Sequence, residues 1–469
     1  MDIKRDRYLN RLMALRHDGF VKIVTGIRRC GKSYLLFNLF KSRLLAEGVD
    51  RSHIVEVNLD DKESARLRNP NRLFDYVVKR LPQDGEWTYV FIDEVQMCRK
   101  VLVDGVKLKE VAPEDREDAY ITFYDILASL MKKPQVDVYV TGSNSKMLSK
   151  DVATNFRDRG EEIRLHPLSF SEYMSASGLE DKSEALTYYL IWGGMPAAFI
   201  KTDEAARVEY LKGLFEKVYL KDIRERHKLK STDICGRVMS ALCSAVGSLT
   251  NPHKLVKTLA SEGGAKTTDR TLGKYLNYFE ESFLFSKAER YDVRGKKYLA
   301  YPAKYYCEDV GLRNAHLNFR ETDEAHLMEN VIYNELRARG YNVDVGVVEV
   351  WKTNKDGKRE LRQYEIDFIV NTGINKVYIQ SAYDMKRSGK REQETESLKS
   401  TGDFFRKIVV ENGYRPPLPD EDGIVHVGVI PFLLDDTFLA SIVDEAKRSP
   451  RVMVGEIDAG EGLSTNYTN

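Results

Sequence analysis

The chain is predicted to be an α/β protein whose first third is organised around a parallel β-sheet, and three observations carry that expectation. Short runs rich in β-branched and aromatic residues alternate with helical stretches from Phe20 onward. A glycine-bearing octapeptide, Gly26 to Ser33, falls between the first such run and the first helix. A further apolar run, YVFIDEV, delivers two adjacent acids, Asp93 and Glu94.

The elements follow in order. FVKIVTG, HIVEVNL, TYVFIDEV and VDVYVTGS read as strands, separated by the helical stretches KSYLLFNLFKSRLL, NRLFDYVVKRL and ITFYDILASLMKK. In the first helix Leu35, Leu36, Leu39 and Phe40 form one stripe that should pack on the sheet, and Gly48 suits its C-terminus. Residues 99–118 interrupt the alternation with charge and a proline and read as a surface insertion. After a strand in EIRLHPLSF, residues 169–235 read as a helical lid or linker broken by the loop Gly193, Gly194, Met195, Pro196. Residues 236–318 then offer helix, helix and hairpin, the order of a winged helix. A separate α/β unit is expected at 319–440, with a C-terminal helix and flexible tail at 441–469.

Composition sets the outer bounds. At 469 residues the chain exceeds one ordinary core, and roughly 100 to 200 residues per domain implies two to four units. Apolar residues make up 42% and charged residues 31%, the balance of a soluble globular protein. The net charge of +1 means that attraction to nucleic acid would need a local basic face. Five cysteines, Cys30, Cys98, Cys235, Cys243 and Cys307, include no C-x-x-C pair, which fits a reducing cytoplasm better than a disulfide or zinc framework. The first residues lack the apolar core of a signal peptide, and runs such as Val427 to Leu434 fall short of the ~20 residues that span a bilayer, so no membrane association is expected.

The octapeptide GIRRCGKS (Gly26, Ile27, Arg28, Arg29, Cys30, Gly31, Lys32, Ser33) matches G-x-x-x-x-G-K-[ST], and it stands between a strand and a helix as that motif's mechanism demands. Its glycines let main-chain N–H groups turn onto phosphates, and Lys32 reaches the β and γ oxygens. Ser33 ligates Mg²⁺ at a helix N-terminus that favours anions, with Tyr34 beside it. The fold class expected is therefore a P-loop NTPase sheet with ATP and Mg²⁺ as ligands. Asp93 is expected to hold the magnesium ion and Glu94 to polarise the attacking water, since both stand at the sheet edge where ligands bind. VDVYV ends in TGSNS, which places Thr141, Ser143 and Asn144 at the same edge, able to touch the γ-phosphate or the water; a plain polar turn is the alternative.

GIRRCGKS, FIDEVQ, VTGSNSKMLS, FRDRG followed by PLSFSEY, the loop WGGMP and the run KYYCEDVGLRNA occur in that order. Together they resemble the prokaryotic AAA-type ATP-binding proteins that carry a C-terminal domain of unknown function, from about Arg7 to Ile430. The resemblance implies an arginine completing the nucleotide site, in cis or across a subunit boundary, at Arg159 or its neighbour Arg157. It also implies an ATPase core with helical lid and winged helix. Some relatives of the broader class couple ATP to DNA transactions, and others act as nucleotide-controlled switches.

Lys254, Lys257, Lys266 and Arg270 flank the two helices of the expected winged helix, and Arg294, Lys296 and Lys297 sit at its wing tip, a placement able to contact DNA phosphates. Interleaved acids leave a protein-contact or oligomerisation role open, with the C-terminal unit a possible protein-binding surface. That last unit is similar in layout to the restriction-nuclease-like fold, whose chemistry needs an acid followed by E-x-K on the next strand. Asp367 would be the acid and Glu335 a second, but Gln380 and Ala382 stand where the glutamate and lysine belong. A nuclease-like unit without nuclease activity is expected; an ATP-regulated nuclease and a slow nucleotide-gated switch are the alternatives to an ATP-driven machine. His53, His166 and His426 are isolated within strands and are expected to be structural.

Overall fold

The computed structural model describes residues 3–142, 160–229, 232–261, 267–320, 323–353, 357–373, 375–384 and 390–442. Strands β1 (Val21–Thr25), β2 (Ile54–Asn58), β3 (Thr88–Asp93), β4 (Val136–Thr141) and β5 (Gly160–Arg164) form one sheet in the order β2-β3-β4-β1-β5, every neighbour parallel. β3 and β4 are buried along their whole length, as strands covered by helices on both faces must be. Alternation along β3 divides the two cores. Tyr89 and Phe91 pack with Leu35, Leu36 and Phe40 on one face, while Val90 and Ile92 pack with Leu73, Val77 and Ile126 on the other.

The first helix keeps its expected stripe but not its expected winding. Lys32–Tyr34 and Lys41–Ala46 are α-helical, whereas Leu35–Phe40 is π-wound, and the buried side chains there are Leu35, Leu36 and Phe40, with Leu39 at the margin. Within the insertion, Val101–Leu102 pairs with Tyr120–Ile121 as a short antiparallel ribbon. Residues 169–229 are chiefly helical and include Lys182–Trp192, Glu204–Gly213 and Lys221–Arg226.

The second half departs from the expected partition at 318/319. Helices Thr232–Ser244, Pro252–Ser261 and Asp269–Glu281 precede a hairpin of β7 (Phe285–Asp292) and β8 (Lys297–Cys307), and β8 also pairs with the short β6 (Leu249–Thr250). The later strands are β9 (Asn342–Thr353), β10 (Arg359–Thr372), β11 (Asn375–Ala382), β12 (Arg406–Glu411), β13 (Leu418–Pro419) and β14 (Val425–Gly428). β7 pairs in parallel with β9 at Val345–Arg290, Gly346–Tyr291 and Val347–Asp292. The result is one nine-stranded sheet, β13-β14-β12-β11-β10-β9-β7-β8-β6, running through both expected units. Neither a hairpin edge nor an open strand β9 is stable exposed, and each satisfies the other's main-chain groups.

The run CEDVGLRNA joins the parts. Glu308 receives Arg164 at 2.7 Å and His166 at 2.6 Å from the first sheet and its exit. Asp309 accepts the Gly194 N–H at 2.6 Å, and the Asn314 amide donates to the Leu190 and Ile191 carbonyls at the end of a lid helix. Arg313 donates to the Cys243 carbonyl at 2.9 Å, while Asn330 and Asn334 hold the Cys307 carbonyl. Close approach explains the glycines of this joint: a Cβ on Gly311 would lie 2.0 Å from the Trp192 carbonyl oxygen, and one on Gly193 2.2 Å from Asp309 Oδ1.

Candidate nucleotide-binding site

β1 hands over to the first helix through Gly26–Gly31, and the two glycines serve different needs. Gly26 has φ +139, and a Cβ there would lie 2.1 Å from the Leu165 carbonyl oxygen; Gly31 has φ +102 in open space, so only its backbone angle demands glycine. Arg29 also adopts positive φ, at 67°. The turn presents a helix N-terminus whose first N–H groups have no intrahelical acceptor.

Lys32 is 4% exposed, and its ammonium donates to the Gly26 and Ile27 carbonyls at 3.0 and 3.1 Å. Among the described residues no carboxylate pairs with it. The Ser33 hydroxyl donates to Asp93 Oδ1 at 2.9 Å, so a hydroxyl and a carboxylate converge beside the loop, the hard oxygen pair that suits magnesium. Glu94 follows in the left-handed region at φ 52, a strained setting for a residue with a side chain. Its carboxylate accepts from the Gln96 amide.

Thr141 stands behind these acids. It is fully buried; its hydroxyl donates to Asp93 at 2.5 Å and accepts the Glu94 N–H at 2.9 Å. Its hydroxyl is thus engaged with the two acids, where the sequence had it able to touch the γ-phosphate or the attacking water. Ser143, Asn144, Arg157 and Arg159 lie outside the described residues.

Two cavities meet at the loop. One, of about 550 Å³, is walled by Lys32, Ser33, Asp93 and Glu94 on the sheet side and by Lys221 and Asp222 from the lid. The other, of about 760 Å³, is largely apolar and is walled by Ile3, Leu168, Pro196, Ala206, Tyr210 and Leu214. Arg29, Gly31 and Tyr34 border both. Arg28 ties loop to lid, through its guanidinium to Asp222 at 3.2 Å and through its carbonyl, which accepts the Tyr219 hydroxyl at 2.7 Å. Cys30 is buried with its thiol toward the Leu165 carbonyl, and burial pushes its pKa up. A larger cavity, about 1140 Å³, lies between β5, the N-terminal helix and β7, but it has mixed charges and no phosphate loop.

The other expected sites fare differently. Glu335 pairs with Arg7 and Arg339, each at 2.8 Å, and so is not the partner of Asp367. The helix acid facing Asp367 is Glu329, nearer the N-terminus of the same helix, and Lys304 lies between them. Sequence reading passed over both because only the pairing of the hairpin with the later sheet brings them together. Gln380 directs its amide to Glu394 at 3.1 Å. At the hairpin tip Arg294 donates to the Ser400 carbonyl at 2.8 Å, so it is committed within the chain; Lys296 and Lys297 are exposed, as are Lys254, Lys257 and Arg270, and Lys266 lies outside the described residues. His166 pairs with the buried Glu308, His426 with the half-buried Glu411, and His53 with Asp84. No described helix is long and apolar enough to cross a membrane.

A parallel sheet with a lysine-bearing glycine loop at its edge and an acid pair on the next strand but one defines an AAA-type P-loop protein. Comparison agrees: residues 18–174 match an AAA domain and residues 183–323 match a domain of unknown function (DUF8612). An uncharacterized protein of Haemophilus influenzae is 31% identical over 436 residues, covering 92% of this chain and 98% of its own. The chain belongs to the same family as this relative, and its residues 18–174 match the AAA domain. An uncharacterized protein of Methanocaldococcus jannaschii is 23% identical, over 80% of this chain and 77% of its own. Among solved structures, a Walker-type ATPase of Pyrococcus abyssi aligns at 14% identity and TM-score 0.46, covering 67% of this chain and 96% of that one. The Orc1 protein of Aeropyrum pernix, solved in complex with DNA, aligns at 12% identity and TM-score 0.27, covering 68% and 93%. Both likenesses are too loose to bear on function.

Proposed function

We propose that the chain binds ATP with magnesium across the Gly26–Ser33 loop and hydrolyses it, using the cycle to rearrange its lid and C-terminal sheet. The observation that carries this reading is Lys32, a buried ammonium with no carboxylate partner among the described residues. Burying a cation is costly unless an anion completes it, and Lys32 lines the same cavity as Arg28, Arg29, Gly31 and Ser33. The polar cavity would take the phosphates and the apolar one the base, with Tyr34 at the junction.

Magnesium, held by Ser33 and Asp93, would neutralise charge developing on the phosphates. Glu94 would orient the attacking water, held in place by the Thr141 hydroxyl on its main chain. Arg157 or Arg159 would add the completing positive charge, from this chain or a second copy, with Ser143 and Asn144 beside the γ-phosphate. Because the lid touches the loop through Arg28, loss of the γ-phosphate has a direct route to the helices, and through Asp309 to the sheet beyond.

The three helices and hairpin of residues 232–307 support a winged-helix reading, with Lys254, Lys257, Arg270 and the Lys296–Lys297 tip as candidate DNA contacts. The C-terminal sheet would serve as a protein-binding surface. A slower, switch-like cycle is the second reading, favoured by the Gln96 amide that holds the Glu94 carboxylate.

Calorimetric ATP titration and phosphate release on the full chain test the assignment. Lys32→Ala should weaken binding by on the order of a hundredfold, as expected for a lost charge-assisted contact. Glu94→Gln should leave binding intact and slow turnover by on the order of a hundredfold or more. Unchanged turnover in Glu94→Gln would remove that residue from the mechanism, and stimulation by duplex DNA separates a DNA-coupled machine from a switch.

A further inference from the structure

Lys304, on hairpin strand β8, is 3% exposed and touches three carboxylates at once. Glu329 Oε1 and Glu365 Oε1 lie at 2.8 Å from its ammonium and Asp367 Oδ1 at 3.1 Å. The ammonium donates hydrogen bonds to Glu329 and Asp367, and Glu365 adds a third ion pair. The acids come from two elements, Glu329 from helix Glu324–Ala338 and the other two from β10. Further bonds fix them: the Tyr306 hydroxyl donates to Glu329 at 2.6 Å and the Ser381 N–H to Asp367 Oδ2 at 2.9 Å.

Several carboxylates converging on one point is the arrangement by which proteins hold hard divalent cations. Two buried acids and a third, partly exposed one would repel one another without a cation and be driven to protonate. Here the chain supplies the cation itself. As the chain stands, no group of three or more His, Cys, Asp or Glu among the described residues is placed to hold a metal ion. Burial alone would lower the Lys304 pKa, but Asp367, Glu329 and Glu365 outweigh it and hold it well above the usual lysine value, so the ammonium keeps its charge.

We infer that Lys304 is a built-in cation occupying the point where Glu329, Glu365 and Asp367 would otherwise gather a divalent metal ion. It closes this part of the sheet to metal chemistry and locks the hairpin onto it. The inference is independent of the nucleotide reading, since no residue of the loop takes part.

The test is Mn²⁺ titration of the full chain without nucleotide, read by electron paramagnetic resonance of the free ion. Wild type, Asp367→Asn, Lys304→Ala and the double variant are compared. Lys304→Ala should retain one Mn²⁺ more than wild type, at least about tenfold more tightly than any wild-type binding, and lose it again when Asp367→Asn is added. Mn²⁺ should also raise the melting temperature of Lys304→Ala and leave that of wild type unchanged. Wild-type binding that Asp367→Asn abolishes would overturn the inference, and so would a folded Lys304→Ala that gains no ion. Should Lys304→Ala fail to accumulate, Lys304→Gln keeps a donor in place and is judged by the same gain, while the wild-type comparison with Asp367→Asn stands on its own.

Discussion

Lys32 and Lys304 are buried almost equally, at 4% and 3% exposure, yet their surroundings are opposite. Lys304 is surrounded by three carboxylates from its own chain, whereas Lys32, among the described residues, meets two main-chain carbonyls and no carboxylate. A buried charge whose counter-charges are complete belongs to the fold; one without them is, on the reading proposed above, completed by a ligand. The same contrast recurs between adjacent acids. Glu308 faces Arg164 at 2.7 Å, while Asp309 is held by main-chain N–H groups such as that of Gly194. Burial pushes Glu308 up, but Arg164 and its neighbour His166 outweigh it and bring it down to about 2; burial leaves Asp309 raised to about 6.

The comparison breaks most visibly at Lys304. Replacing it by alanine, without metal, strands three acids and should cost ~3–5 kcal/mol, seen as a lower midpoint in urea denaturation. A cost under about 1 kcal/mol would mean that the cluster is a surface feature.

Acid titration is next in size. The folded pKa of Glu308 lies below its ordinary 4.5, so its contribution, about 3 kcal/mol, is present above that value and lost as pH falls toward about 2. For Asp309 the folded pKa lies above 3.8, so its contribution is present below 3.8 and lost as pH rises through about 6. Stability measured against pH should therefore rise on acidification from about 7 to 4 by Asp309 and fall below that by Glu308; Asp309→Asn should flatten only the upper limb.

Gly193→Ala, which drives a Cβ to within 2.2 Å of Asp309 at φ +69, should cost roughly 1–3 kcal/mol and loosen the lid. The smallest effect belongs to Lys32→Ala. Without nucleotide it should shift stability by less than about 0.5 kcal/mol or raise it, since an uncompensated buried charge disappears. A large loss would show that Lys32 is a structural cation like Lys304.

Legibility in the sequence followed locality. The loop, the strand ending at Asp93 and the stripe Leu35, Leu36, Phe40 could be read because each depends on neighbours in the chain. The π-winding of Leu35–Phe40 left no mark, since apolar spacing suits either helix. Glu335 was named and Glu329 passed over, since both fall on one helix and only the sheet's placement decides which faces Asp367. The bonds from Thr141 to Asp93 and Glu94 were not legible, because alternation along β4 gives a residue's face and not its hydrogen-bond partners.

The shared nine-stranded sheet makes the second half of the molecule indivisible. A fragment starting at residue 319 would leave Lys304 behind, along with the strand that shields β9, so it would begin life with a raw edge and an acid nest short of its counter-ion. Anyone transplanting the C-terminal unit must carry the hairpin with it, and swaps between relatives should be cut before Thr232, not inside the sheet.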